Sequence, residues 1–202
     1  RSGTPMREPR CGAVAGVIGG RLVVANGQGF GRKPSSAEAY TGTRWTSLPP
    51  MPHRADQATA CVLNGRLYVS GGCPSNVLQV LEMTEENGLS WSCKAVQPPG
   101  RVGAASVVHA GKIWVMGGFV QGEGGVPSTS VMTYDADADS WEPAPPLPYA
   151  LHGWTAVPTE GGFLLLNGTR VLQYKNAAWS ELEVTCTSYP FEEAACGSVL
   201  LG

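Results

Sequence analysis

Residues 64–72 read Asn-Gly-Arg-Leu-Tyr-Val-Ser-Gly-Gly, which is a tight turn, a short apolar strand and a pair of glycines that ends the strand. The same order returns in residues 111–118 and, more loosely, in residues 20–27 and 162–168, where Asn replaces the first glycine. Asn is the non-glycine residue that most readily adopts positive φ. The second glycines lie 45, 46 and 50 residues apart. A repeat of that length is typical of propeller blades or solenoid units.

The composition limits the possible functions. Among the 202 residues, 14 are Lys or Arg and 16 are Asp or Glu. A nucleic-acid-binding domain needs a basic surplus, so we expect no nucleic-acid role. No apolar run approaches the length of a membrane span, so we expect no membrane insertion.

The six cysteines show no C-x-x-C spacing, which argues against a zinc ribbon. Cys11 and Cys61 stand beside small apolar residues, where a free cysteine behaves as a small hydrophobe. We therefore predict buried free thiols rather than a disulfide framework. Free thiols favour a reducing compartment, and we expect the chain to be cytoplasmic.

Each repeat is predicted to contain four strands. The second strands are apolar at nearly every position, so they should be buried on both faces. Blades that pack face to face supply that burial, and the small first strands suit a crowded central axis. A parallel solenoid would not need hairpin turns such as Asn87-Gly88. We therefore predict an all-β propeller of four-stranded antiparallel blades.

These elements resemble the kelch-repeat family of β-propellers. The resemblance rests on the glycine pairs, the proline-rich segments that close the repeats, and one tryptophan per repeat at the start of the fourth strand. Three repeats also have a tyrosine before the third turn, and the second repeat has Met83 there. The aromatic residues are Tyr40, Tyr134, Tyr174, Trp45, Trp91, Trp141 and Trp179.

The repeats divide the chain, a single propeller domain, into blades at about 10–52, 53–99, 100–148 and 149–184, with a partial unit at 185–202. Residues 4–6, Thr-Pro-Met, echo Pro50-Met51-Pro52, so residues 1–9 resemble the end of an earlier repeat. The resemblance implies a ring of five to seven blades. We therefore expect four complete blades that form part of a larger ring, since an open propeller exposes blade faces and strand edges.

Most candidate sites for chemistry are better explained as structure. Asp135, Asp137 and Asp139 have the spacing of a calcium loop, but the glycine and glutamate of that loop are missing. We predict a hairpin turn there. Asn167-Gly168-Thr169 is a glycosylation sequon that overlaps the last glycine pair, so a structural role is favoured.

A cation precedes the first strand in most repeats. Counting back ten residues from the glycine that ends each first turn reaches Arg10, Ala55, Arg101 and His152, with Arg54 beside Ala55. We predict that these positions and the connections between second and third strands share one face, at the mouth of the central channel. The connections add Arg32, Phe119 and Arg170.

In kelch propellers that this chain resembles, arginines at this position grip acidic peptide segments. The resemblance therefore implies a non-catalytic protein-interaction module, of the adaptor or scaffold kind. Its predicted partner is an acidic or polar protein segment that contacts Arg10, Arg32, Arg54, Arg101, Phe119, His152 and Arg170. The alternative for each arginine is that its stem packs on the blade and its charge pairs with a neighbouring carboxylate.

Two other functions stay open. An architectural subunit of a large assembly would contact its partners through blade edges. A metal-dependent enzyme, such as a galactose-oxidase-like copper oxidase, would need two His and two Tyr together, one Tyr crosslinked to Cys. His53 and His152 could share one face, but the sequence supplies nothing else for that set. We predict no metal, no cofactor and no catalytic residue.

Overall fold

The computed structural model describes residues 3–27, 35–84, 88–121, 125–168 and 170–183. This part of the chain consists of strands and turns. No helix in it is long and apolar enough to cross a membrane. The strands are β1 Val14–Ile18, β2 Arg21–Ala25, β3 Ala37–Tyr40, β4 Trp45–Leu48, β5 Ala55–Asp56, β6 Thr59–Leu63, β7 Arg66–Ser70, β8 Cys73–Pro74, β9 Val77–Thr84, β10 Gly88–Val96, β11 Arg101–Val102, β12 Ala105–His109, β13 Lys112–Met116, β14 Phe119–Val120, β15 Val131–Asp135, β16 Ser140–Ala144, β17 Thr155–Thr159, β18 Gly162–Asn167, β19 Arg170–Lys175 and β20 Ala178–Leu182.

Four antiparallel sheets of four strands each follow one another along the chain, and we call them blades 1 to 4. They are β1–β4, then β6, β7, β9 and β10, then β12, β13, β15 and β16, and finally β17–β20. The first strands β1, β6, β12 and β17 contact one another in that order, so the blades pack face to face. The predicted all-β propeller is confirmed. The blade limits stay predictions, and residues 185–202 lie outside the described residues.

An apolar core fills each contact between neighbouring blades. The second strands β7 and β13 are buried at every position after the first, as their uninterrupted apolar sequence predicts. The first strands are small because the next blade lies against them. A Cβ atom on Gly16 would stand 2.6 Å from the Leu67 side chain and 2.7 Å from that of Val62. Larger residues there would push blades 1 and 2 apart.

Four of the six tryptophans, one in the fourth strand of each blade, link that strand to the segment that closes the preceding repeat. Each indole Nε1 donates a hydrogen bond to a backbone carbonyl, which satisfies its single polar group. The pairs are Trp45 to Thr4 (3.0 Å), Trp91 to Pro49 (2.9 Å), Trp141 to Ala95 (3.1 Å) and Trp179 to Pro145 (3.2 Å). Thr4 thus takes the position that Pro49 has one repeat later, in agreement with the sequence echo between the two segments.

Three blades place a tyrosine opposite the tryptophan in the neighbouring strand, with ring centroids 4.8–5.2 Å apart. In blade 2, the residue opposite Trp91 is Leu81. The assignment of Met83 to the tyrosine position was therefore wrong. The β9–β10 hairpin extends further than its counterparts, which carries Met83 two residues beyond the pair to an exposed site.

The acidic segment of the third repeat is a hairpin turn, as predicted. Asp135 Oδ1 accepts hydrogen bonds from the backbone N–H groups of Asp137 (3.0 Å) and Ala138 (3.1 Å). Asp139 reaches across to blade 2, where its Oδ1 accepts a hydrogen bond from the N–H of Ala95 (2.9 Å). The same oxygen accepts a hydrogen bond from the hydroxyl of Tyr134 in its own blade (2.7 Å). The turn therefore joins two blades.

Candidate partner-binding face

The segment before a first strand lies beside the segment after the second strand of the same blade. In blade 2, Asp56 pairs with Cys73, and in blade 3, Val102 pairs with Phe119. These small ladders place both segments at one end of the blades. We call this end the mouth face, formed by residues 10–12, 53–57, 71–76, 100–103, 117–121 and 151–153. In blades 2 and 3, the segment before the first strand therefore meets the connection that follows the second strand.

The glycine pairs are wedged between two backbone segments of the mouth face. A Cβ atom on Gly71 would lie 2.3 Å from the carbonyl oxygen of Arg101, in the next blade. One on Gly72 would lie within 2.6 Å of the backbone of Ala55, in its own blade. Both glycines have positive φ. Close approach and conformation together therefore require glycine here.

Asn26 fills the first place of such a pair in blade 1 with a φ of 63°. Its side-chain amide donates a hydrogen bond to the carbonyl of Ala55. The Asn side chain thus contacts the carbonyl that would crowd a Cβ atom at the equivalent glycine. Asn167 differs, because it is still part of strand β18.

We call the residue four places before each first strand the leading position. Strand pairing shows that Gly161, and not Gly162, is equivalent to Gly111 in the preceding blade. The ten-residue count was therefore one place off in blade 4. The leading residues are Arg10, Ala55, Arg101 and Leu151.

The Arg101 side chain is buried, and its residue is only 1% exposed. Its Nη1 donates to the backbone carbonyls of Gly117 (2.8 Å) and Ser130 (3.0 Å), and its Nη2 donates to the Ser130 hydroxyl. Burial lowers the pKa of Arg101 to about 10. The residue holds its own blade together rather than projecting from the mouth face.

Arg10 makes the same set of contacts in blade 1. Its Nη1 donates to the carbonyls of Asn26 (2.7 Å) and Ser36 (2.8 Å), and its Nη2 donates to the Ser36 hydroxyl (2.9 Å). It also forms an ion pair of 2.9 Å with Glu38, and both side chains are 3% exposed. These contacts favour the structural alternative for Arg10. A direct partner contact by Arg10 or Arg101 stays a prediction.

Arg54 has a different setting, because half of its side chain (51%) is exposed. Its Nε donates to Asp56 Oδ2 (2.9 Å), and this bond, with the Asp56 charge, raises the pKa of Arg54. Asp56 is buried, so it fixes the guanidinium at the surface. The remaining N–H groups of Arg54 can meet a ligand.

Phe119 and His152 form an aromatic pair between blades 3 and 4, with ring centroids 4.5 Å apart. Phe119 belongs to the ladder strand β14, and His152 follows the leading residue of blade 4. His152 is exposed and Phe119 is half-buried. The pair presents an aromatic surface with a titratable group.

Arg170 starts β19 and contacts Tyr149 and Glu181. Its guanidinium lies 4.1 Å from the centroid of the Tyr149 ring, and its Nε donates to Glu181 Oε1 (3.0 Å). The Tyr149 hydroxyl also donates to Glu181 (3.3 Å). Tyr149 and Glu181 were missed from the sequence. Arg32 lies outside the described residues, and its assignment stays a prediction.

The cysteines differ from the prediction. Among the described cysteines, Cys11, Cys73 and Cys93 are exposed free thiols and Cys61 is partly buried, while Cys186 and Cys196 lie outside the described residues. Cys11 is exposed because it precedes β1 at the mouth face rather than lying inside the strand. Cys73 also belongs to the mouth face, and its place directly after the glycine pair, like that of Phe119, is the signal that could have found it.

The histidines do not converge on a metal site in the described part of the chain. His109 packs edge-on against Trp114, Phe163 and Tyr174, with centroids 5.5–6.0 Å apart. Among the described residues, no three His, Cys, Asp or Glu side chains are grouped to hold a metal ion.

Known proteins match this chain in sequence, and a solved structure matches it in fold. The family model described as Kelch motif matches residues 100–148. Human Kelch-like protein 34 is 29% identical over 175 residues, which cover 82% of this chain and 26% of that protein. Human Kelch-like protein 35 is 30% identical over 137 residues, 66% of this chain and 23% of that protein. The chain is a kelch-repeat β-propeller.

This kelch propeller also resembles a plant protein and a solved structure. The F-box protein AFR of Arabidopsis thaliana is 34% identical over 116 residues, 54% of this chain and 30% of that protein. The structure of YjhT superposes with a TM-score of 0.77 over 92% of this chain and 69% of that one, at 18% identity, which speaks for the fold alone. The kelch propeller spans less than a third of the length of Kelch-like proteins 34 and 35 and of the F-box protein AFR.

Proposed function

We propose that this kelch propeller is a non-catalytic protein-interaction domain that binds an acidic or polar segment of a partner protein at the mouth face. The observation that carries the proposal is Arg54, which is held in place by the buried carboxylate of Asp56 and half-exposed. A planar guanidinium fixed in this way can bind a partner carboxylate through two parallel hydrogen bonds.

The Phe119–His152 pair gives the same face an apolar component. Interfaces combine buried aromatic anchors with charged groups that set orientation and association rate. We assign Arg170, which is exposed and paired with Glu181, to the rim of the proposed contact. A cytoplasmic setting is part of the proposal, and four unpaired thiols support it.

The test selects displayed random peptides on the immobilised chain. We expect peptides rich in Asp and Glu to be enriched, and we expect Arg54→Ala and His152→Ala to weaken their binding. Arg66→Ala is the matched control, because Arg66 is also 51% exposed and paired with a carboxylate, Glu82, but lies at the opposite end of blade 2. Selection of neutral peptides, or equal binding to Arg54→Ala and Arg66→Ala, would contradict the proposal.

The second candidate is an architectural subunit that contacts its partners away from the mouth face, and one observation favours it. Val17 and Leu22 are paired in blade 1 and are 58% and 37% exposed. Their equivalents in blade 2, Val62 and Leu67, pack against blade 1. Loss of partner binding in Val17→Glu together with unchanged binding in Arg54→Ala would favour this candidate.

A further inference from the structure

The residue at the leading position of each blade varies with the length of the connection between the second and third strands of that blade. Blades 1 and 3 join their second and third strands through the long connections 26–36 and 117–130, and their leading residues are Arg10 and Arg101. Blades 2 and 4 use the shorter connections 71–76 and 168–169, and their leading residues are Ala55 and Leu151. Arginine therefore occurs where the connection is long.

The contacts explain this correspondence. Nη1 of Arg101 donates hydrogen bonds to the carbonyls of Gly117 and Ser130, the first and last residues of the connection in blade 3. Nη1 of Arg10 bonds the carbonyls of Asn26 and Ser36, the first and last residues of the connection in blade 1. Each guanidinium thus joins the two ends of a loop.

The connection of blade 4 needs no such group, because strand pairing extends to its ends. In blade 4, Asn167 and Arg170 pair directly across a two-residue turn. In each long connection one backbone hydrogen bond joins the two ends, from the Asn26 N–H to the Ser36 carbonyl (2.9 Å) and from the Gly117 N–H to the Ser130 carbonyl (3.1 Å). Among the described residues, the carbonyls of Asn26 and Gly117 accept no backbone hydrogen bond, and a buried carbonyl needs a donor. An arginine supplies several donors in one rigid plane, whereas alanine or leucine supplies none.

We propose that Arg10 and Arg101 are positioning residues that clamp the two ends of the long connections 26–36 and 117–130. In blade 3 the clamp fixes the segment that carries Phe119 and so presents the aromatic pair on the mouth face. The last step rests on the proposed function, but the clamp itself does not, since it can be measured without a partner.

The test is a double-mutant cycle on loop length. Arg101→Leu installs the residue that blade 4 has at the leading position. It is made in the full chain and in a variant whose residues 118–129 are replaced by Gly-Thr, the turn of blade 4. Unfolding by urea gives the equilibrium constant for all four proteins.

In the full chain, we expect Arg101→Leu to raise the unfolding equilibrium constant about 10- to 100-fold, because a hydrogen-bonded charged group is lost and the buried carbonyl of Gly117 is left without that donor. In the short-loop variant, the same change should raise it less than about threefold, because no long connection remains to be clamped. An equal effect in both backgrounds would overturn the proposal and make Arg101 an ordinary packing residue.

Hydrogen exchange keeps the proposal testable if the short-loop variant fails to fold. In Arg101→Lys, one ammonium cannot copy the planar fork, so we expect faster exchange at 117–121 and 125–130 with unchanged exchange in β6 and β7. Arg54→Leu, which leaves the clamp intact, should leave all these segments unchanged. Faster exchange spread evenly over all blades would contradict a local clamp.

Discussion

Gly71→Ala tests whether blade 2 needs a glycine at this position in order to pack closely against blade 3. A methyl group there would lie 2.3 Å from the carbonyl oxygen of Arg101. The Gly72 N–H donates to that same oxygen at 2.7 Å, so the oxygen cannot move away without weakening this bond. Gly65 is the matched control, because both glycines have a φ of +71° and a Cβ atom on Gly65 would meet nothing within 4 Å.

The two substitutions share the cost of positive φ, about 1–2 kcal/mol, and the same gain from a stiffer unfolded chain. Gly71→Ala adds overpacking against backbone, about 1–3 kcal/mol, and a weakened hydrogen bond, about 1 kcal/mol. We therefore expect Gly71→Ala to lower the free energy of unfolding by about 3–5 kcal/mol and Gly65→Ala by about 1 kcal/mol.

Urea denaturation followed by tryptophan fluorescence measures both variants. A Gly71→Ala chain that fails to fold while Gly65→Ala folds normally also agrees with the expectation. If the two variants lose equal stability to within about 0.5 kcal/mol, the usual limit of such comparisons, then the glycine pair is required for its conformation alone and the wedge argument is wrong.

Two further predictions concern titratable groups. Hydrogen bonds from the Ala95 N–H and the Tyr134 hydroxyl lower the pKa of Asp139, so its stabilising effect is present above the ordinary carboxyl pKa and is lost as the pH falls through the lowered value. Asp139→Asn should therefore reduce the melting temperature most at pH 7 and little at the acid end, and equal losses for Asp137→Asn would contradict the assigned contacts. Burial raises the pKa of Cys61 to about 11 from an ordinary 9.0, so iodoacetamide at pH 8 should label Cys61 about 100-fold more slowly than a thiol of ordinary pKa. Mass spectrometry measures the labelling of Cys61 against that of free cysteine added to the same reaction, and equal rates would show that blades 2 and 3 do not enclose Cys61.

The fold could be predicted because each of its determinants is local and recurs. The glycine pairs, the apolar second strands and the tryptophans each stand at a fixed place in every repeat. An error in one repeat is therefore corrected by the others. Met83 shows the limit of this advantage, because the length of one hairpin changed which residue faces Trp91, and hairpin length is set by turn geometry rather than by the repeat.

The sequence predicted which segments meet in blades 2 and 3, but not where their side chains point. The sequence brought the leading positions and the loops to one face, and the ladders β5–β8 and β11–β14 pair them there. It could not show that Arg101 is buried while Arg54 is exposed. An arginine side chain can reach inward or outward from the same backbone position, and the choice depends on which acceptors are unsatisfied nearby.

For Arg101, those acceptors are backbone carbonyls, which every residue carries and no side-chain motif marks. The usable signal was therefore the length of the connection that follows, and not the charge of the residue itself. Long connections in blades 1 and 3 coincide with Arg10 and Arg101, whereas Arg54 lies one place before the leading position of a blade with a short connection. Arg54 has no loop to clamp, and its guanidinium lies at the surface beside Asp56. Of the three arginines assigned to partner binding by their position before a first strand, Arg54 is the one whose geometry leaves it free to act on another molecule.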